Sequence, residues 1–246
     1  MASAQLHRGE ERPLVGRSGS GTIFFSSCNL RCVFCQNADI SDGNVGREIR
    51  WEDLAETMLR LEYAGAENIN LVTPTHQSPM ILDALALARR RGLKLPVVYN
   101  CGGYEDPNFI AELEGQVDIY MPDMKFMDPD LAERYLGVRN YPECNRASVC
   151  EMHRQVGDLE LDHRGVARRG LLVRHLVMPT HAEDSRAVIE FVAHEISTNT
   201  YINIMDQYHP AHRADEFPEL RRRTPAGTVA ELREYARSLG LHRFAD

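Results

Sequence analysis

No apolar run in this chain approaches the roughly 18 residues that a membrane-spanning helix needs. The opening stretch, MASAQLHRGEERPLVG, lacks the apolar centre of a secretory signal. The expectation is a cytoplasmic protein with no membrane partner. Basic residues are outnumbered, 28 to 36, which leaves a net charge of −8. That balance is poorly suited to gripping a phosphate backbone, so nucleic acid is set aside as a main partner. The short basic runs Arg89–Arg91 and Arg221–Arg223 read as solvated helix ends. Cysteine is scarce, with six in 246 residues. In a reducing compartment these read as thiols, metal ligands or redox groups, not disulfides. No cysteine follows Cys150, so a C-terminal domain carrying an auxiliary cluster has no ligands. No linker or composition shift divides the chain. Residues 21–246 are predicted as one domain, and residues 1–20, which end in GRSGSG, as a loose segment.

What is present is a regular alternation of strand and helix signals. Strands are predicted at Thr22–Ser27, Ile69–Thr73, Leu95–Asn100, Val117–Met121, Leu171–Met178 and Tyr201–Met205. Helices are predicted at Trp51–Ala66, Pro79–Gly92, Asn108–Glu114, Pro129–Leu136, Asp184–Ile196 and Thr228–Leu239. The pattern breaks over 137–170, which reads as an inserted helix, Tyr141–Val156, and a polar hairpin, Leu159–Arg169, turning at His163, Arg164 and Gly165. Repeated βα units build a parallel sheet covered by helices. Six of them, not eight, predict an α/β fold of the partial, open (β/α)6 barrel type. Such a barrel has a gap at its side, which admits a large substrate or is covered by the insertion.

The strongest chemical signal is Cys28-Asn-Leu-Arg-Cys32-Val-Phe-Cys35, at the end of the first predicted strand. Strand C-termini face the active-site mouth of a barrel. Thiolates are the soft ligands that zinc and iron–sulfur clusters select. A structural zinc site takes four protein ligands, and here three cysteines stand together with no obvious fourth. Three thiolates on a four-iron cluster leave one iron open to a chelating ligand. The alternative is a non-catalytic iron–sulfur or zinc protein.

The C-x3-C-x2-C spacing, with Phe34 before the third cysteine, resembles the signature of the radical S-adenosylmethionine (SAM) superfamily. The resemblance implies a [4Fe–4S] cluster on Cys28, Cys32 and Cys35, with SAM chelating the open iron and Phe34 near its adenine. It implies reductive cleavage of SAM to a 5′-deoxyadenosyl radical that abstracts hydrogen from a substrate. It also implies a one-electron reductant such as flavodoxin or ferredoxin.

The other strand ends extend the resemblance. Thr73-Pro74-Thr75-His76 stands where the superfamily carries a Gly-Gly-Glu type segment for the SAM amino group. Without that glutamate, the contact passes to Thr73, Thr75, His76 or a carbonyl aimed by Pro74; Thr75 also reads as a helix cap. Asn100-Cys101-Gly102-Gly103 ends the third strand, and its glycines permit close backbone approach. Asp123 and Lys125 end the fourth; they pair with each other or bind ribose and a carboxylate. Arg174 on the fifth suits bidentate capture of the SAM carboxylate. Gln207 follows the sixth. Together with Asn37 after the signature, these endings resemble activating enzymes of glycyl radical enzymes, and within them a PflX-type, pyruvate formate-lyase activating enzyme-like branch. Two substrate classes follow: a glycyl radical protein, or a small molecule or peptide undergoing epimerisation, dehydrogenation or rearrangement. Cys101 is a candidate hydrogen-atom donor beside the SAM pocket, against the reading of a buried core residue. His153 on the inserted helix is a further candidate to face the mouth.

Overall fold

The computed structural model describes residues 1–41 and 45–245; Asp246, the far end of the expected domain, lies outside the described residues. Its strands are β1 (Ser3–His7), β2 (Ser20–Phe24), β3 (Ile69–Val72), β4 (Val97–Cys101), β5 (Ile119–Pro122), β6 (Glu160–Leu161), β7 (Ala167–Leu176) and β8 (Tyr201–Met205). Its α-helices are α1 (Arg12–Val15), α2 (Ala38–Ser41), α3 (Trp51–Tyr63), α4 (Ser78–Arg90), α5 (Pro107–Glu112), α6 (Pro129–Leu136), α7 (Tyr141–Val156), α8 (Ala182–Phe191) and α9 (Ala226–Ser238). Strands β2, β3, β4, β5, β7 and β8 run parallel in that order. These are the six strands of the expected open barrel. Helix boundaries follow local chemistry. Asp106 and Asp128 cap α5 and α6 through their carboxylates, each with proline in the first turn. Gly137 ends α6 at φ 80°. The helix expected over 184–196 continues beyond α8 as one π-helical stretch, Val192–Ile196.

Central strands carry apolar side chains on both faces because both faces are covered. Outside the sheet, Tyr99, Tyr120, Leu171, Val173, Ile202 and Ile204 pack against the helices, α7 included. Inside, at the lower end of the barrel, Leu14, Val98, Ile119, Met121, Ala167 and Leu172 form a separate cluster.

Residues 1–20 correct the expectation of a loose segment. Ser3–His7 pairs antiparallel with β2, from Ser3 opposite Phe24 to His7 opposite Ser20. The chain then turns under the barrel, where Leu14 is fully buried and its carbonyl accepts a hydrogen bond from Asn68 Nδ2 at 2.7 Å. Strand pairing and one deeply placed leucine hold the segment, and a single apolar residue has no periodicity to announce it. The insertion does not lie over the gap. Helix α7 packs outside, against α5, α6, β5 and β7, and β6 pairs antiparallel with the first half of β7.

Glu105, behind β4, is only 2% exposed. It accepts hydrogen bonds from Thr75 Oγ1 at 2.7 Å and Tyr99 Oη at 3.2 Å. Burial pushes its carboxyl up to about 7, and these donors oppose that only in part. A folded-state pKa above the unfolded value favours the fold below about 4.5, and this contribution is lost as pH rises through about 7. Relative to Glu105→Gln, the wild type is therefore expected to lose about 3 kcal/mol between pH 4.5 and pH 8. Urea midpoints across that range measure it; parallel curves for the two proteins would contradict it.

Candidate functional site

The loop after β2 carries the cysteines. Leu30, Val33 and Phe34 are buried among Phe126, Tyr135, Tyr208 and Leu220, while Cys28, Cys32 and Cys35 line a cavity of about 240 Å³ at the strand C-termini. The alternation of apolar and thiol side chains turns the loop inside out, with its greasy residues as anchors. Its backbone is pinned from behind: Arg31 and Val33 donate to the carbonyls of Leu136 and Tyr135 at the end of α6, at 3.2 and 2.9 Å. Arg213 N donates to Val33 O at 2.8 Å. Phe34 makes edge contacts with Phe126 and Tyr208, ring centroids 6.1 and 6.3 Å apart. It forms an apolar wall of the cavity.

Burial pushes the Cys28 and Cys32 thiols up, Cys32 to about 12, and the Lys125 ammonium pulls both partly back. A metal bound here would take the thiolates and release their protons. Among the described residues no three His, Cys, Asp or Glu side chains converge on a single metal ion. Three soft donors lining one cavity are a donor set that an iron–sulfur cluster takes.

Opposite the cysteines lies a buried charge network. Lys125 Nζ donates to Asp123 Oδ2 at 2.6 Å, and Arg174 Nε to Asp123 Oδ1 at 2.8 Å. Arg174 Nη2 donates to Asn100 Oδ1 at 2.7 Å. Burial alone raises the Asp123 carboxyl, but Arg174 and Lys125 more than offset it and hold it below the usual carboxylate range. The pairing that the sequence left open between Asp123 and Lys125 is thus present, with Arg174 as third member. Arg174 keeps only its Nη edge for another anion, so capture through the Nε–Nη2 edge is closed to it.

The inserted helix sets this network's backbone. Tyr141 Oη accepts from Lys125 N at 3.0 Å and lies 2.9 and 3.0 Å from the carbonyls of Gly102 and Asp123. Asn145 Nδ2 donates to Gly103 O and Asp123 O at 2.9 and 3.0 Å. Both side chains are buried and clamp the ends of β4 and β5 together. Gly103 is required there: its φ is 76°, and a Cβ would overlap Asp123 O. Sequence reasoning missed Tyr141 and Asn145. Their only trace is two polar-tipped residues at i, i+4 on the helix's buried face.

The other expected residues divide. Asn37, Thr73, Asn100 and Gln207 line the cavity. Thr73 sits at φ 57°, an unusual conformation for a β-branched residue, with its N–H on Asn100 O at 2.8 Å. Pro74, Thr75 and His76 are outside the cavity lining. Pro74 opens a 3-10 turn, Thr75 bonds Glu105, and His76 Nε2 lies 2.7 Å from Ser26 O. The turn at Pro74 leads the chain away from the strand end after one residue. Cys101 touches the cavity but packs with Tyr99, Tyr120, Met124, Val149 and Met152 on the helix side. The pleat is the reason: Asn100 points inward to Arg174, so its neighbour points out. The reading of a buried core thiol fits this placement. His153 is paired with Asp158 at 3.2 Å and is not among the cavity residues.

Residues 22–192 match the profile of the Radical SAM superfamily. An uncharacterized protein of Methanocaldococcus jannaschii is 30% identical over 251 aligned residues, covering 98% of this chain and 68% of the relative. The pyruvate formate-lyase-activating enzyme of Clostridium pasteurianum is 27% identical over 136 residues, 53% of this chain and 56% of that enzyme. The chain thus spans about two thirds of the first relative and little more than half of the second. Among solved structures, Streptococcus suis SuiB bound to the precursor peptide SuiA superposes with a TM-score of 0.59 at 14% identity, covering 88% of this chain and 45% of SuiB. SuiB bound to S-adenosylmethionine gives 0.58 at 12% identity, covering 88% and 46%. At these identities the likeness is one of fold.

Proposed function

This chain belongs to the radical SAM superfamily, and from that premise we propose that it uses a [4Fe–4S] cluster and SAM to abstract hydrogen from a protein glycine, as an activating enzyme does. When bound and reduced by one electron, from a flavodoxin- or ferredoxin-like donor, the family's cluster supplies cleavage of SAM to a 5′-deoxyadenosyl radical. Cys28, Cys32 and Cys35 would hold the cluster, and the cavity they share with Lys125 and Arg174 would hold SAM. The observation that carries this reading is that the soft donors and the cationic network face one cavity at the strand ends.

In this reading the chain's own groups bind, orient and exclude water. The Nη edge of Arg174 and the spare N–H groups of Lys125 take the SAM carboxylate. Phe34 offers its ring to the adenine, while Asn37 and Gln207 line the cavity around it. Thr73 and the backbone near it take the ammonium, since His76 and Thr75 are engaged elsewhere. Tyr141 and Asn145 hold the β4 and β5 ends at fixed separation, so that Asp123 and Lys125 need no rearrangement on binding. Distant similarity to pyruvate formate-lyase-activating enzymes supports the glycine target. A shared scaffold does not fix a substrate, so the target has its own test. Anaerobic, reconstituted protein is incubated with SAM, reductant and a glycyl radical enzyme deuterated at glycine. The expected result is deuterium in 5′-deoxyadenosine and a protein-radical signal in electron paramagnetic resonance. Deuterium transfer from peptides or small molecules alone, with no protein radical, would replace the activase reading with peptide or metabolite modification.

A further inference from the structure

The turn between β1 and α1 delivers two carboxylates into the barrel interior, beneath Arg174. Glu11 has a side chain only 6% exposed, and its Oε1 lies 3.9 Å from Arg174 Nη1. The same oxygen accepts from Asn203 Nδ2 on β8 at 3.2 Å. Its other oxygen, Oε2, is buried without a hydrogen-bond partner among the described residues. Glu10 feels Arg174 from the same side. Asn70, fully buried on β3, faces Glu10 without a well-formed hydrogen bond to it. The turn therefore links β3, β7 and β8 across the interior. Through β1 it is also joined to β2.

Arg174 is consequently held from two sides. Asp123 and Asn100 engage it above, and Glu11 draws its free Nη1 end from below. The buried group holds three carboxylates, Glu10, Glu11 and Asp123, against two cations, Lys125 and Arg174. The surplus carboxylate has little bulk water to stabilise it. Burial accordingly pushes Glu10 up to about 7, with Arg174 opposing and Glu11 adding to the rise.

We propose that Glu11, with Glu10 beside it, is a positioning residue for Arg174, and that the N-terminal strap thereby couples its own order to occupancy of the SAM cavity. This rests on the assignment of Arg174 to the SAM carboxylate. An arginine hydrogen-bonded on one side and drawn by a carboxylate 3.9 Å away on the other presents its remaining N–H groups in a narrower range of orientations, and loss of that attraction adds freedom that binding must remove. Linkage is reciprocal: if the strap steadies the SAM contact, SAM steadies the strap.

Two measurements on the reconstituted, cluster-containing protein test this. In the first, Glu11→Gln keeps size and hydrogen bonding but removes the charge. It is expected to raise the Kd for SAM about fivefold, with KM raised, kcat at saturating SAM retained, and iron content and thermal midpoint unchanged. In the second, hydrogen exchange of the wild-type protein is expected to slow over residues 8–15 on adding SAM. Arg174→Gln, measured alongside, separates the two claims. If it weakens SAM binding while Glu11→Gln does not, and the exchange rates over 8–15 ignore SAM, the strap proposal fails and the role of Arg174 stands. If Arg174→Gln leaves SAM affinity untouched, both fall.

Discussion

Asp123→Ala is expected to lower the thermal midpoint by about 6–20 °C and to remove SAM turnover. Asp123 carries both cations of the cavity wall, Lys125 at 2.6 Å and Arg174 at 2.8 Å, and all three side chains are less than a fifth exposed. Deleting the carboxylate takes from Lys125 its hydrogen-bonded partner and leaves Arg174 with Glu11 at 3.9 Å as its nearest carboxylate, in a poorly solvated space. Breaking a buried ion pair from one side costs about 3–5 kcal/mol, far more than an exposed pair. At about 2–4 °C per kcal/mol for a domain of this size, the shift is several degrees or more. Asp123→Asn keeps an acceptor oxygen and is expected to lose less stability while still failing to hold both cations. Calorimetry of the three proteins checks the order wild type, Asn, Ala. An Ala variant that melts with the wild type would show that solvent already screens the network.

Cys32→Ser is expected to prevent cluster assembly and to take SAM cleavage to background, with the fold retained. Of the three thiols Cys32 is the one pushed to about 12 by burial, with Lys125 opposing. A serine oxygen is a hard, weak ligand beside soft iron. The apolar anchors of the loop, Leu30, Val33 and Phe34, are untouched by the change, and so are the Arg31 and Val33 hydrogen bonds to the end of α6. The expected result is a loss of iron and of the visible absorption after reconstitution, with an unchanged far-ultraviolet circular dichroism spectrum. Retained iron and full turnover in this variant would remove Cys32 from the ligand set.

The cysteine loop was legible because its meaning lies in local spacing. The six parallel strands were legible because apolar runs punctuated by helical periodicity survive without knowledge of the partner. Contacts between distant positions were not. Glu11 meets Asn203 across 192 residues, and Tyr141 meets Gly102 across 39; no window of sequence contains both partners. Strand β1, SAQLH, is short and half-polar because it is an edge strand, so its pattern resembles a loop. Cys101 shows a subtler limit. Alternation along β4 says that Asn100 and Cys101 face opposite ways, but with both faces buried the sequence does not say which one faces the cavity. Pro74, Thr75 and His76 follow a strand end, as cavity residues do, but the 3-10 turn at Pro74 carries them past it.

Anaerobic reconstitution of the whole chain with iron and sulfide, followed by SAM and a one-electron reductant, reaches the centre of this account. It should yield about four irons per chain, a spectral shift when SAM is added, and 5′-deoxyadenosine that disappears when any one of Cys28, Cys32 or Cys35 is replaced. Protein that instead takes up zinc, ignores SAM and forms no 5′-deoxyadenosine would contradict it.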